Sequence, residues 1–222
     1  MKLVIFDVDG TLVDSQAHIV SSMEAAFREA ELPCPDRNTV LSIVGLSLPY
    51  AVANLAPQAD VETHTRMVAA YKRAFNATRS KVGSNGFPLY PGAEAAIRAL
   101  GARDDIKLAI ATGNSRRGLD ALMEGWGFAD MFVSTQSADE HPSKPNPSMV
   151  AACLLDANVS AHDTVVVGDT TYDMEMAAAA RCRGLGVLWG YHGREALLSA
   201  GAARVIDRFS QLPAALDDVW KD

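Results

Sequence analysis

Six short apolar runs, each too brief for a helix, constrain the fold of this chain more than any other feature. They are Leu3-Val4-Ile5-Phe6, Leu108-Ala109-Ile110-Ala111, Met131-Phe132-Val133, Val165-Val166-Val167, Gly186-Val187-Leu188-Trp189 and Arg204-Val205-Ile206. Most are rich in β-branched residues, and polar residues or glycine flank them. Runs of this kind are strands buried on both faces, as in parallel sheets. Helical patterns lie between them. Ala93 to Leu100 follows Pro91-Gly92, and Leu119 to Trp126 stops at Gly127. Pro147 to Leu155 opens on a proline, which the first helical turn tolerates, and Asp173 to Cys182 is rich in alanine. The alternation predicts an α/β fold with a doubly wound, Rossmann-like parallel sheet. Gly184, Gly186 and Gly190 invite a dinucleotide-loop reading. They precede the expected strand rather than follow one, so they read as a helix stop and turn.

One segment breaks the rhythm. From Ser15 to Lys81 no strand pattern occurs, while Ile19, Met23, Phe27 and Ala30 recur at helical spacing, as do His64, Val68, Tyr71 and Phe75. The expectation is a catalytic core made of residues 1–14 and 82–222, with an all-helical cap at 15–81. Inserted directly after the first strand, the cap is placed over the C-terminal edge of the sheet, where sites of such folds form. The return linker, 82–88, has loop composition. Composition excludes several classes of partner. An apolar fraction of 49% with 21% charged residues is that of a folded globular chain. Twenty basic and 27 acidic residues leave a net charge of -7, which argues against a nucleic-acid partner held by a broad basic face. No stretch reaches the ~18 apolar residues of a membrane span, and the apolar N-terminal run is too short for a signal peptide. Three cysteines without a C-x-x-C spacing indicate neither a disulfide framework nor a zinc site, so a reducing cytoplasm is expected.

Chemistry gathers where strands end. Asp7-Val8-Asp9-Gly10-Thr11 follows the first run, Thr112-Gly113-Asn114 the second, and Asp169 through Asp173 the fourth; Ser143-Lys144-Pro145 stands at the entry to a helix. In a doubly wound sheet these positions share one crevice. Four carboxylates there would repel a phosphate ester, which brings about -2 more, unless cations are present. Lys144 supplies one, and an all-oxygen carboxylate set suits Mg²⁺. Asp7 is then placed to attack phosphorus. Asp9, two residues on, can protonate the leaving oxygen and later deprotonate water. Gly10 permits the close turn, and Thr11 and Thr112 offer hydroxyls to phosphate oxygens. Gly113 and Asn114 offer backbone N–H groups where a helix begins. Thr112 could also serve as a plain N-cap.

Together, Asp7-Val8-Asp9-Gly10-Thr11, Thr112, Lys144 and Gly168-Asp169 with Asp173 resemble the four motifs of the haloacid dehalogenase superfamily, specifically its phosphatase branch with a helical cap after the first motif. The resemblance extends from Lys2 to about Leu216 and implies Asp7 as nucleophile and Asp9 as general acid/base. It implies Thr112 and Lys144 as catalytic phosphate and charge binders. Asp9, Gly10, Thr11, Gly113 and Asn114 join them around the phosphate. The Mg²⁺ it implies is held by Asp7, the Asp9 carbonyl and Asp169, with Asp173 supporting the metal waters or orienting Lys144.

Within that superfamily, Gly186 through His192 with Val205-Ile206-Asp207 and Leu212 are similar to bacterial phosphoglycolate phosphatases. The resemblance therefore implies a small phosphorylated metabolite, with 2-phosphoglycolate first. Its carboxylate would need a donor from the cap, either Arg79 or Lys72, or backbone N–H groups of Gly45-Leu46-Ser47. A phosphosugar mutase shares the nucleophile and the cap. A receiver-type signalling domain shares the aspartate, threonine, lysine and Mg²⁺ but has no counterpart of Asp9. The sequence does not distinguish a monomer from a homodimer.

Overall fold

A computed structural model describes residues 1–82 and 87–221. The expected linker, 82–88, falls mostly outside them. Six strands form one sheet, all pairs parallel, in the order β3-β2-β1-β4-β5-β6. They are β1 (Lys2–Phe6), β2 (Ile106–Thr112), β3 (Phe132–Ser137), β4 (Thr164–Gly168), β5 (Arg183–Val187) and β6 (Ala202–Ile206). Their order reverses at β1, between β2 and β4, which is where a doubly wound sheet opens its crevice.

The alternation of side chains along a strand builds two cores from the same residues. Val4 and Phe6 of β1 join Leu108 and Ile110 of β2 and Val165 and Val167 of β4 on one face. That face is covered by helices α5 (Ala93–Gly101), α6 (Arg116–Met123) and α10 (Leu212–Val219). Leu3, Ile5, Ala109, Ala111 and Val166 point the other way, onto α7 (Ser148–Ala157) and α8 (Thr171–Ala179). A short helix, α9 (Arg194–Ser199), bridges β5 to β6.

Four helices occupy the segment read as an insertion: α1 (Gln16–Glu29), α2 (Arg37–Leu41), α3 (Leu48–Leu55) and α4 (Val61–Val82). They enclose a separate cluster in which Ile19, Met23 and Phe27 of α1 meet Val40, Val52, Met67 and Ala70. The inner face of α4 is therefore rotated from the expected stripe. Met67 and Ala70 are fully buried, while Tyr71 and Phe75 are only partly so. The helix serves two surfaces, packing on α1 with one and lining a cavity with the other.

Other expectations shift by a few residues. The fifth strand lies at Arg183–Val187, not Gly186–Trp189, so Gly184 and Gly186 are strand residues rather than a turn. Without side chains they admit Met174 of α8 and Leu197 of α9 against the sheet. Helix α6 starts earlier than Leu119, because the Ser115 hydroxyl accepts the Gly118 N–H and caps it there. Trp126 follows the helix and stacks on Phe128 at 5.3 Å. Cys153 and Cys182 are buried and, like Cys34, free. No helix among the described residues is long and apolar enough to cross a membrane.

Because the insertion has its own core, truncating it should cost what a core cavity costs. Met67→Ala is expected to lower stability by about 2–5 kcal/mol, measured by urea unfolding. A change under 0.5 kcal/mol would show that α1–α4 have no cohesive core.

Candidate active site

The four polar clusters meet at the C-terminal ends of β1, β2 and β4. Asp7 follows β1, and its N–H donates to the Val167 carbonyl at 2.9 Å, extending the ladder by one residue. The chain then turns back sharply: Thr11, Leu12 and Val13 all donate their N–H groups to the Val8 carbonyl. Gly10 sits in this turn at φ +87°, and a Cβ there would occupy the space of the Asp169 carboxylate.

At the centre lies a buried cation. Lys144 Nζ donates to Asp7 Oδ1 and to Asp173 Oδ1, both at 2.7 Å, and all three side chains are essentially inaccessible to solvent. Burying such groups is tolerated only where they pair closely. The other Asp173 oxygen accepts the Thr170 N–H at 3.1 Å and the Thr170 hydroxyl at 2.7 Å, so Asp173 also caps α8. Asp173 thus holds Lys144 with one oxygen and the start of α8 with the other. Thr170-x-x-Asp173 is a capping-box spacing visible in the sequence. Asp169 accepts the Thr11 hydroxyl at 2.8 Å on Oδ1 and the Tyr191 N–H at 2.9 Å on Oδ2.

Asp7 Oδ2 is buried with no hydrogen-bond partner. An orphaned carboxylate oxygen is costly, and such an atom marks a place where a ligand belongs. Carboxylate oxygens of Asp7, Asp169 and Asp173 lie within 4.8 Å of one another. An oxygen-only donor set with one oxygen unpartnered fits a hard divalent cation.

Asp9 faces the same space, its Oδ2 accepting from Asn114 Nδ2 at 2.7 Å. Asn114 was expected to present its N–H where a helix begins. Instead Ser115 is the cap, and the Asn114 N–H turns back to Thr112 Oγ1 at 3.2 Å. Thr112 ends β2 and is no N-cap, and its hydroxyl proton remains free to donate. Asp7, Asp9, Thr112, Gly113 and Asn114 line a cavity of about 550 Å³ between the sheet and α1–α4. Gly10 and Thr11 stand behind it, the Gly10 N–H bonded to Val13 and the Thr11 hydroxyl to Asp169. A buried hydroxyl beside a carboxylate donates to it, so this geometry gives both residues a structural part.

The loop 42–47, between α2 and α3, rests on three of these clusters. The Ser47 N–H donates to Ser143 Oγ at 2.9 Å, next to Lys144. The Ser42 carbonyl accepts from His192 Nε2 at 3.0 Å and from the Tyr172 hydroxyl at 3.3 Å. His192 Nδ1 in turn accepts the Thr171 N–H. A Cβ on Gly113 would come within 2.6 Å of the Gly45 carbonyl, so only glycine admits the loop there. Sequence reading missed these contacts, because they join backbone atoms of the loop to single side chains of the core. His141 joins Ser148 to Gln136 through its two ring nitrogens.

Burial shapes the protonation of the carboxylates. Desolvation pushes Asp7 up to about 7, countered in part by Lys144 and reinforced by Asp173. Burial likewise raises Asp9, and raises Asp169 well above its ordinary value of 3.8, with Asp7 and Asp173 adding to the rise. Lys144 stays firmly charged, because Asp173 and Asp7 outweigh its own desolvation.

A doubly wound parallel sheet with this aspartate-threonine-lysine-aspartate arrangement at its switch point defines a recognisable class. The sequence profile of the haloacid dehalogenase-like hydrolases matches residues 4–187. The chain belongs to that family, and within it the chain is a phosphatase. It is 35% identical to the probable phosphatase IndB of Dickeya dadantii, over 99% of this chain and 95% of that protein. It is 33% identical to the phosphoglycolate phosphatase of Rhodospirillum rubrum, over 95% and 89%. The fold superposes on a crystal structure of a hydrolase from Pseudomonas syringae with a TM-score of 0.85 at 22% identity, covering 98% of this chain and 99% of that one.

Two outcomes follow from the buried charges. Lys144→Met leaves Asp7 and Asp173 facing each other without a counter-charge, and is expected to destabilise the fold by about 3–5 kcal/mol at neutral pH. Chemical denaturation measures it, and a loss under 1 kcal/mol would contradict the pairing. The second concerns pH. Asp7 binds its proton more tightly folded, at about 7, than unfolded, at 3.8. The folded state therefore holds more protons between those values, and stability falls as pH rises through that window. Melting temperature in EDTA should drop from pH 5 to pH 8, and Mg²⁺ should flatten the decline by favouring the ionised carboxylates. A melting temperature in EDTA that rises over this range would refute the argument.

Proposed function

We propose that the chain hydrolyses phosphate monoesters in two steps through an aspartyl-phosphate on Asp7. The observation that carries this reading is the Asp7 carboxylate itself, with one oxygen clamped by Lys144 and the other buried and unpartnered among the described residues. That second oxygen is the nucleophile. It forms a bond to phosphorus as the bond from phosphorus to the leaving oxygen breaks, and the Asp9 carboxyl gives its proton to the departing alkoxide. Burial supports Asp9 in this part, because it favours the protonated form from which an acid must start. Asn114 holds the Asp9 side chain through its other oxygen. In the second step Asp9, now ionised, takes a proton from water. The oxygen of that water attacks phosphorus, the Asp7–phosphorus bond breaks, and inorganic phosphate is released.

The rest of the site binds and orients. An ammonium has three N–H donors, and Lys144 spends two of them on Asp7 and Asp173, leaving one for a phosphate oxygen. The Thr112 hydroxyl and the Gly113 N–H are placed to meet other phosphate oxygens. Asp7, the Asp9 carbonyl and Asp169, with Asp173 in support, would hold Mg²⁺, which would supply positive charge offsetting the repulsion between the carboxylates and the ester. Thr11 and the Tyr191 N–H fix Asp169 for that part. Residues 15–81 act as the cap, with the loop 42–47 shutting water out of the cavity. Among possible substrates 2-phosphoglycolate comes first, supported by the name of the Rhodospirillum rubrum relative.

Asp7→Asn should remain folded and abolish phosphate release, because the amide keeps the shape and loses the nucleophile; phosphate release at the wild-type rate by the folded variant would overturn the mechanism. Asp9→Asn should still accept phosphoryl groups from an activated aryl ester and then stall, lowering turnover ~10²–10⁴-fold. Acid-quench trapping of a phosphorylated chain checks the intermediate. For the substrate, kcat/KM for 2-phosphoglycolate is compared with that for a hexose phosphate and a nucleoside monophosphate. A tenfold preference for either of the others would reject 2-phosphoglycolate and leave the phosphatase chemistry standing.

A further inference from the structure

The cavity above Asp7 has a chemically divided wall. Tyr71, Phe75 and Arg79 follow one another at intervals of four on α4, and all three line it. That spacing sets them in one stripe along the helix. Tyr71 and Phe75 stack, with ring centroids 5.8 Å apart. Arg79 continues the stripe, about 12 Å along the axis from Tyr71 at the helical rise per residue. Its guanidinium is half-buried and donates to Asn76 Oδ1 at 3.2 Å, an amide that orients it without neutralising it. No carboxylate pairs with Arg79 among the described residues, whereas Arg73, on the same helix, pairs with Glu29 of α1 at 3.5 Å. The chain carries 27 acids against 20 bases, so an arginine left unneutralised on a cavity wall is not the default.

Two other cations line the cavity, Lys72 and Arg117, and both are exposed at its margin. One carboxylate besides the catalytic pair also lines it. Asp139 is committed, accepting the Arg116 N–H at 2.8 Å at the start of α6. The backbone alternative is weakened as well, because the Ser47 N–H is already bonded to Ser143.

We propose that Arg79, aimed by Asn76, is the specificity-determining residue of this cavity, and that it selects phosphate monoesters whose leaving alcohol carries a second anionic group. The inference rests on the phosphatase reading above and adds to it the class of alcohol. The transferred phosphate belongs at Asp7, which lines the cavity from the end of β1 and is paired from behind with the buried Lys144, so a charge on α4 is spare for the remainder of the substrate. The aromatic pair, one and two turns before Arg79 on the same stripe, lines the cavity where a carbon spacer would lie. A carboxylate and a second phosphate share the required chemistry and differ in reach. A guanidinium binds either in a two-pronged fashion, which an ammonium cannot reproduce.

The test is a matched series of esters: ω-phosphoalkanoates of increasing length beginning with 2-phosphoglycolate, bisphosphates of the same lengths, and neutral alkyl phosphates of equal carbon count. The wild-type protein should favour at least one anionic series over its neutral counterpart by tenfold or more in kcat/KM. The series and length that win identify carboxylate or phosphate as the group recognised. Arg79→Met should reduce that preference to within threefold, chiefly by raising KM for the anionic ester. Arg79→Lys should restore part of it. Wild-type turnover of neutral and anionic esters with equal efficiency would overturn the assignment, as would an Arg79→Met variant that loses both series equally. Absence of phosphate release from every ester, neutral ones included, would instead overturn the hydrolytic reading and this inference with it.

Discussion

Everything at the strand ends is arranged around one buried ammonium. Lys144 is held by Asp7 from β1 and by Asp173 from the first turn of α8, two elements with no other reason to coincide. Its desolvation is repaid only while both contacts stay near 2.7 Å, so the sheet, helix α8 and the loop before α7 have to meet within tenths of an ångström. Thr170 ties Asp173 to the backbone, and the β1–β4 ladder fixes Asp7 one residue beyond the strand. A site of this kind resists drift, since moving any one member leaves a charge buried alone.

The same arrangement explains how two carboxylates two residues apart can do different work. Asp7 is fastened at one oxygen by a cation and buried without a partner, among the described residues, at the other. Among the described residues Asp9 has no such cation in hydrogen-bond contact; an amide holds it, and burial favours its neutral form. In the proposed mechanism it is environment rather than residue type that separates the nucleophile from the acid. Asn114 belongs to this division of labour through its side chain.

Much of this was legible in the sequence, because the strong signals are local. Runs such as Leu3–Phe6 and Val165–Val167 can only be buried strands, and the residues that follow them inherit their place from the topology. Asp7, Asp9, Thr112, Lys144 and Asp169 could therefore be assembled in advance. Three things were hidden, each for a physical reason. The inner face of α4 was misplaced because its apolar residues serve two surfaces, so a single period fits neither. Gly184 and Gly186 looked like turn formers because a strand that uses glycine to admit neighbouring side chains carries no β-branched signal. The seating of the loop 42–47 depends on main-chain groups, to which side-chain patterns are blind.

That seating has a kinetic corollary. The loop is held to the core by three hydrogen bonds, from Ser47 to Ser143 and from His192 and Tyr172 to Ser42. At about 1 kcal/mol each, they leave a lifted loop in roughly one molecule in a hundred. A phosphate ester arriving at random would find the entrance shut on most encounters, and inorganic phosphate would wait for the same rare event to leave. The reaction would then be paced by a gate rather than by bond making. Thirty-one residues of sequence separate that gate from the arginine on α4, yet both belong to the segment inserted after the first strand, so entry and selection can change together while the sheet and its lysine stay as they are.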